Sequence, residues 1–445
     1  MATPGTADST GQRSPLLLLK WIIIGVVAAV SGLVVVGSFV FAVIGLHQLL
    51  WATGLPLPLF ALAGALVTGT LIYRIDPRCA GEGIPSYVHG HRTYGGRLDV
   101  SETIGKYLAS IVTLGTFGNG GIVGPVGRVS AGVMSAIGRR VRTPWFTQAD
   151  LGTATTAGLA AAVAVVFRSP VGAGVFAVEI MQKNEMRYRQ LFPAIIASAI
   201  ASHLAVFFEA PPLMRPPLYT LPAPATAIHP ELLLPVLAIA VVTGIGGRAY
   251  SGFYGLVTRI ARREQGAGVV PKVLAGTLLA AGVTWLINPN IMGTSEHLIA
   301  DLAAGRSTTL YGNLPPSVPM VAVLLILAAL KMMANSITVG SGLSGGFTGP
   351  AAIIGMLLGR AVADVIGVAE GSMQYHAMLA AGFTGMLAST LNVPIAAAII
   401  GIEIFGIQHG VATGLTAVLA FQLNRRQTIY DSSLGDEPGY ETGVD

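Results

Sequence analysis

The sequence has few charged residues for its length. Of its 445 residues, 11% are Asp, Glu, Lys or Arg and 53% are hydrophobic, whereas a soluble domain carries about 25% charged residues. A chain of this size with so few charges cannot cover a surface that faces water. The composition therefore argues against a soluble enzyme and predicts a multi-pass membrane protein in a lipid bilayer.

The sequence also has almost no cysteine and only a modest net charge. Cys79 is the single cysteine, which excludes an intrachain disulfide and a cysteine metal cluster. The formal net charge of +5 indicates membrane orientation, and we expect no nucleic-acid partner. His89, His91 and Arg92 lie close together, but metal binding would need further ligands at suitable spacing. We expect a solvated loop there, with no metal and no cofactor.

Apolar runs fill most of the chain and are interrupted by glycine and proline. The run Trp21–Leu46 predicts a first spanning helix, whereas many later runs are shorter than the roughly 20 residues that cross a bilayer. Half-spanning helices are tolerated where protein or water covers their ends, so the pattern predicts a substrate pathway near the midplane. We assign residues 1–15 to a disordered tail, 16–430 to the transmembrane domain and 431–445 to a short acidic tail.

Two blocks of the sequence repeat in the same order. Residues 157–179 share an Ala-Gly pair, a proline and a final glutamate with residues 381–403, each 224 positions later. Upstream, residues 120–125 (GGIVGP) match residues 345–350 (GGFTGP), which lie 225 positions later. Two blocks at nearly one offset predict two homologous halves that meet at a pseudo-two-fold axis. The halves are residues 75–208 and 270–423, approximately.

Three glycine-rich segments open into helical patterns. They are residues 81–85, 118–128 and 340–350. Glycine lets the backbone approach an ion closely, and a helix N-terminus presents unpaired N–H groups with about half a positive charge. Several such ends in a low dielectric would hold an anion without a full opposite charge, so that the anion is also released. The alternative is that these glycines only permit tight helix packing.

At these segments the sequence resembles the CLC family of chloride channels and proton/chloride antiporters. Residues 81–85 (GEGIP) resemble the family motif GSGIP, and residues 115–128 resemble the stretch that ends in GREGP. Lys331 and residues 340–350 resemble the stretch that contains GxFxP. Tyr430 stands where the family places a tyrosine whose hydroxyl faces the ion. The motifs keep the family's order over most of the chain.

The resemblance implies an all-α membrane protein with inverted-repeat halves and broken helices. It also implies a homodimer with one anion pathway per subunit, which carries chloride or another small monovalent anion. Backbone N–H groups and one tyrosine hydroxyl would line a central anion site. The residues that we assign to this site are Glu82, Gly83, Ile84, Val126, Gly127, Phe347, Thr348 and Tyr430, with Glu82 and Val126 at gating positions.

The sequence lacks both acids that the family's antiporters use for protons. The glutamate of GREGP falls on Val126 in an ungapped alignment, or on Val123 if Pro125 is matched to the motif's proline. The second acid falls on Ile180, next to Glu179. Valine cannot exchange a proton or compete with chloride as a tethered anion. The departures therefore predict passive, uncoupled anion conduction.

Glu82 replaces the serine of GSGIP and complicates this prediction. An ionised glutamate offers only hydrogen-bond acceptors and would repel chloride. At a helix N-terminus its carboxylate can fold into the anion site, and we hypothesise a relocated gate that blocks when charged and opens when protonated. The alternative is that Glu82 turns aside to cap backbone N–H groups or to meet an arginine such as Arg78.

Other polar residues at membrane depth favour structural roles. Glu179 and Glu403 follow helix-opening prolines symmetrically, which predicts hydrogen bonds to backbone at each helix end. Lys331 either raises the local potential for anions or pairs with a carbonyl. Thr348 replaces a family phenylalanine that narrows the path, so the opening is expected to be wider or differently gated.

The sequence thus favours a passive chloride channel. The lack of a targeting signal and of a cytoplasmic regulatory domain suggests the plasma membrane of a bacterium. The alternative is a proton-coupled antiporter in which Glu82 replaces the missing acid, and fluoride or nitrate is an alternative ion. A remote alternative is an intramembrane enzyme, but Ser130 and Ser344 have no nearby histidine in the sequence. We therefore expect no enzymatic activity.

Overall fold

The computed structural model describes residues 14–74, 76–141, 143–181, 188–208, 230–263 and 269–434. Within these ranges the regular elements are helices, together with two isolated β-bridges between glycine segments. The predicted tail 1–15 lies outside the described residues up to 13, and the predicted tail 431–445 does so from 435 onward.

The α-helices of the described ranges follow the apolar runs, and short 3₁₀ turns connect some of them. In chain order they are α1 Ser14–Trp51, α2 Leu57–Arg74, α3 Ile84–Tyr94, α4 Val100–Gly115, α5 Val123–Gly138, α6 Gln148–Phe167, α7 Gly172–Glu179, α8 Tyr188–Phe207, α9 Leu233–Arg263, α10 Val269–Ile287, α11 His297–Ala303, α12 Thr308–Tyr311, α13 Met320–Gly340, α14 Thr348–Val365, α15 Met373–Leu391, α16 Pro394–Phe405, α17 Gly410–Asn424 and α18 Asp431–Leu434.

Helix length separates the spanning helices from the broken ones. Eight helices of the described ranges are long and apolar enough to cross a membrane. In contrast, α7 has 8 residues and α16 has 12, which at 1.5 Å per residue are about 12 and 18 Å long. Neither length crosses about 30 Å of hydrocarbon, so the prediction of half-spanning helices is confirmed.

The two halves meet at paired glycines. The Gly121 amide donates to the Gly346 carbonyl at 2.8 Å, and the Gly346 amide donates back to the Gly121 carbonyl at 2.6 Å. These glycines are 225 positions apart, and the helices that follow them, α5 and α14, begin two residues later in each half. The repeat in the sequence is therefore also a repeat in space.

A reciprocal pair of carboxylates links the halves a second time. The Glu179 carboxylate accepts hydrogen bonds from Ile395 N at 3.0 Å and Ala396 N at 2.7 Å, at the start of α16. The Glu403 carboxylate accepts from Val171 N at 2.9 Å and Gly172 N at 3.0 Å, at the start of α7. Each glutamate therefore caps the helix of the other half. The structural role predicted for both glutamates matches this geometry.

Between α14 and α15, glycine serves close packing. A Cβ built on Gly355 would lie 2.2 Å from the Gly382 carbonyl oxygen, and a Cβ on Gly382 would lie 2.1 Å from that of Gly355. At this contact α14 and α15 approach so closely that no larger side chain fits. Tight helix packing, the alternative role considered for the three glycine-rich segments, is thus the role of these two glycines, which lie outside those segments.

Candidate anion site

The three glycine-rich segments meet in the middle of the molecule. The Gly345 amide donates to the Gly81 carbonyl at 3.3 Å, next to the reciprocal pair formed by Gly121 and Gly346. Gly83 has a φ of +128°, and a Cβ on it would lie 3.0 Å from the Gly124 carbonyl oxygen. Only glycine suits this backbone conformation. The contacts hold the starts of α3, α5 and α14 close to one another.

The Glu82 side chain lies at this meeting point and is 3% exposed. Its Oε2 accepts a hydrogen bond from the Ile84 amide at 2.8 Å, and the Phe347 amide is a further hydrogen-bond partner. The Tyr430 hydroxyl donates to its Oε1 at 3.5 Å. A Cβ on Gly124 would lie 2.2 Å from Oε1, so the carboxylate rests against the start of α5.

The donors that this carboxylate engages are of the kind that would hold a small anion. Backbone N–H groups at helix starts and a tyrosine hydroxyl are the donors that suit a small anion. The two hypotheses for Glu82, a gate and a cap of backbone N–H groups, are therefore compatible. The side chain caps backbone N–H groups, and it does so inside the candidate site.

Arg78, the proposed alternative partner of Glu82, bonds elsewhere. Its Nε and Nη2 each donate to Asp76 at 3.0 Å, and Nη2 also donates to Asp99 at 3.1 Å. The hydrogen bonds from Arg78 hold the pKa of Asp76 below its ordinary value. The guanidinium is therefore already neutralised by two carboxylates.

Lys106 supplies the positive charge of the site, and the sequence reasoning missed it. Its Nζ donates to the carbonyls of Cys79 at 2.8 Å, Ala80 at 3.2 Å and Gly81 at 2.7 Å, and to Ser344 Oγ at 3.1 Å. The side chain is fully buried and interacts electrostatically with Glu82. Its hydrogen bonds brace the loop before α3, and its charge lies close to the Glu82 carboxylate.

A signal for this lysine was present in the repeat. Lys106 lies 225 positions before Lys331, the offset of the glycine segments. Lys331 donates in the same way, to the Ile291 and Gly293 carbonyls at 3.0 and 2.6 Å and to Ser295 Oγ at 2.7 Å. Of the two roles considered for Lys331, the structure therefore shows the carbonyl pairing.

The two valines considered for the lost gate have different positions. Val123 is the first residue of α5, whereas the Val126 amide lies one turn later and donates to the Ile122 carbonyl at 3.0 Å. A Cβ on Gly127 would meet Leu159, so this residue faces α6. The structure thus places Val123, rather than Val126 or Gly127, at the helix opening.

At the start of α14, aromatic rings hold Phe347 in place. Its ring packs edge-on against Tyr250 and Tyr254, at centroid distances of 5.8 and 4.6 Å. Thr348 is the first residue of α14, and its buried Oγ1 has no hydrogen-bond partner within the described ranges. The ring contacts fix the backbone N–H of Phe347 beside Glu82.

The prediction of a solvated loop at His89, His91 and Arg92 is wrong. These residues belong to α3, which continues to Tyr94 and ends where Gly95 adopts a left-handed conformation with a φ of +59°. His91 is 6% exposed and its Nε2 lies 3.2 Å from the Gln190 amide nitrogen. Packing against α6 and α8 therefore buries a residue that the polar sequence placed in solvent.

Known proteins resemble this chain in sequence and in fold. The family model for the voltage gated chloride channel matches residues 63–425. An uncharacterised protein of Methanocaldococcus jannaschii is 26% identical over 61% of this chain and 63% of its own. A chloride/fluoride channel protein of Pseudomonas syringae pv. tomato is 23% identical over 62% of this chain and 56% of its own. The chain thus spans less than two thirds of each of these relatives.

A solved structure extends the likeness over the whole described architecture. The crystal structure of a CLC-type fluoride/proton antiporter matches with a TM-score of 0.79, over 96% of this chain and 99% of that one, at 20% identity. This match shows a common fold. The family model covers more than half of the chain. The chain is therefore a multi-pass membrane protein that belongs to the CLC family of voltage gated chloride channels.

Proposed function

We propose that this CLC protein is a passive chloride channel in which the Glu82 carboxylate is the gate. The proposal rests on one observation: the carboxylate takes the helix-start donors and the Tyr430 hydroxyl that would otherwise hold an anion. When it is charged it blocks the site. When it is protonated it no longer competes as an anion, and chloride enters.

The residues at the usual proton positions support conduction without coupling. Val123 stands at the start of α5 and Ile180 follows α7, and neither carries a carboxylate. Glu179, beside Ile180, has both oxygens engaged by backbone amides of α16. Because that carboxylate is held as a helix cap, it is not free to relay a proton.

A proton-coupled antiporter is the second candidate, and the position of Glu82 favours it. A carboxylate that alternates between the anion site and solvent can carry a proton in one direction while an anion moves in the other. The antiporter that shares this fold is named for fluoride and protons, and one relative is named a chloride/fluoride channel. Fluoride is therefore the alternative ion for either mechanism.

Reversal potentials distinguish these candidates. Purified protein in a planar bilayer is given a chloride gradient and then an added pH gradient. We expect reversal at the chloride equilibrium potential in both conditions, and a shift with the pH gradient would support the antiporter. A fluoride gradient in the same bilayer then gives the relative permeability of the two anions.

The gate is tested by Glu82→Gln, which keeps the shape of the side chain and removes its charge. We expect larger currents at neutral pH and a flatter dependence on pH. Glu231→Gln, an exposed position, is the control and should behave as the parent protein. Equal currents of the Glu82 variant and the parent at every pH would refute the gate.

We also propose the homodimer and the bacterial inner membrane that the family resemblance implies. Apolar side chains of α8, α16 and α17 are exposed, including Phe192 at 51%, Ile395 at 52% and Val411 at 56%. These are surfaces on which a second subunit could pack or which lipid covers. Single-molecule photobleaching of labelled protein in liposomes separates one subunit per particle from two.

A further inference from the structure

Tyr250, in the middle of α9, holds a buried hydroxyl that the proposed gate does not use. The side chain is fully buried. The Asn335 Nδ2 donates to the Tyr250 hydroxyl oxygen at 2.6 Å and lies 3.5 Å from the Gly346 carbonyl oxygen. A carbonyl oxygen only accepts hydrogen bonds, so the amide must turn its nitrogen, a donor, toward both atoms.

This orientation fixes the role of the phenol. Because Asn335 donates to its oxygen, the Tyr250 hydroxyl must direct its own hydrogen elsewhere. Within the described ranges, the hydrogen bond from Asn335 is the only one in which the Tyr250 hydroxyl takes part. A buried donor without an acceptor is costly, and such a group in a native structure calls for an explanation, one of which is an ion or water that binds there.

The Tyr250 side chain lies next to the candidate anion site. Its ring packs against Phe347, whose amide is a partner of the Glu82 carboxylate. The Tyr250 hydroxyl also interacts electrostatically with that carboxylate. Gly346, which orients Asn335, belongs to the glycine pair that joins the two halves beside Glu82. The phenol therefore lies beside the same candidate anion site.

We propose that the Tyr250 hydroxyl donates a hydrogen bond to the transported anion, as a second phenol beside Tyr430, and that Asn335 positions it. The inference rests on the proposed function and adds a residue that selects the anion. Glu82 replaces the serine hydroxyl of the family motif, so a charged side chain stands where an alcohol donor would be. When Glu82 withdraws, two phenols and the backbone amides remain as donors.

A phenol is a stronger hydrogen-bond donor than an alcohol, and its benefit grows with the acceptor strength of the anion. Fluoride and chloride are stronger acceptors than iodide. A site with two phenols should therefore prefer the smaller halides. A purely structural role for Tyr250 would weaken the binding of all halides to the same extent.

The test uses full-length protein with Glu82→Ala, which removes the competing carboxylate. Chloride binding to this parent in detergent is measured by isothermal titration calorimetry, and Tyr250→Phe is added. A hydrogen bond to a charged group contributes about 1.5–3 kcal/mol, so we expect chloride affinity to fall about tenfold or more. Tyr254→Phe, whose ring contacts the same Phe347, is the matched control and should stay within about twofold.

A second titration with iodide separates donation from packing. We expect Tyr250→Phe to lower iodide affinity less than chloride affinity, and an equal loss for both would overturn the proposal. If Tyr250→Phe unfolds, Asn335→Ala replaces it, because it keeps the phenol and removes its positioning partner. That variant should lose chloride affinity several-fold, and unchanged affinity would overturn the proposal.

The parent shows which idea fails. If the Glu82→Ala parent binds chloride and Tyr250→Phe binds it equally well, the role of Tyr250 is refuted and the anion site stands. If the parent neither binds chloride nor carries anion flux in liposomes, the proposed function fails, and the inference about Tyr250 fails with it.

Discussion

The crossed glutamate caps allow a prediction about stability. Glu403→Gln replaces one carboxylate oxygen by an NH₂ group, so one of the two amides at the start of α7 faces a donor instead of an acceptor. Losing a hydrogen bond to a charged group costs about 1.5–3 kcal/mol. The lost attraction between the charge and the helix N-terminus adds up to about 2 kcal/mol. Together the two terms give an expected loss of about 1.5–5 kcal/mol.

The same reasoning applies to Glu179→Gln at the start of α16, because the two caps are related by the repeat. Glu403 accepts a further hydrogen bond from Ser169 Oγ, so its replacement should cost the larger amount. Equilibrium unfolding in detergent, followed by intrinsic fluorescence, gives both values. The exposed Glu231→Gln should change stability by less than about 0.5 kcal/mol.

Two results would refute this account of the caps. If both variants unfolded at the same denaturant concentration as the parent, the carboxylates would not hold the helix ends. If instead the variants were stable but lost anion flux or proton coupling, the glutamates would belong to the transport route. A double variant that lost less than the sum of the two single losses would indicate that the caps act as one unit.

Four further substitutions test the site. Lys106→Met should lower the stability of the protein and reduce anion flux at least tenfold. Lys331→Met should lower stability by a comparable amount but leave anion flux within about twofold of the parent. Unfolding in detergent gives the stabilities, and efflux from liposomes gives the fluxes. Gly124→Ala places a Cβ 2.2 Å from the Glu82 Oε1 and should displace the carboxylate, so that efflux at neutral pH rises; unchanged efflux would contradict this contact. Val123→Glu puts a carboxylate at the start of α5, and the reversal potential should then follow a pH gradient; indifference to pH would argue against this position as the lost gate.

Much of the fold could be predicted from the sequence because the repeat carries long-range information. A constant offset of 224 or 225 residues relates Glu179 to Glu403 and Gly121 to Gly346, and in the structure both pairs join the two halves. Short apolar runs also predicted the broken helices. The sequence thus specified which segments are equivalent, and equivalence in an inverted repeat determines how they meet.

The site was harder to predict, because its contacts join distant residues. Tyr430 lies 348 positions after Glu82 and still donates to its carboxylate, so the direction of the Glu82 side chain depends on the packed halves. Tyr250 lies in an ordinary apolar helix and no motif marks it. The polar cluster with His91 was misassigned for the same reason, since its burial depends on Gln190 in α8.

The repeat also separates support from selectivity within the site. Residues that occur in both halves, such as the two capping glutamates and the paired glycines, bond to backbone and hold helix ends. Glu82 and Tyr430 belong to no matched pair, and their side chains contact each other at the candidate anion site. Lys106 has a repeat partner in Lys331 and also braces the loop that carries Glu82. Replacing Lys106 should therefore lower both stability and anion flux. Lys331, its partner in the other half, provides the control, because its replacement should lower stability alone.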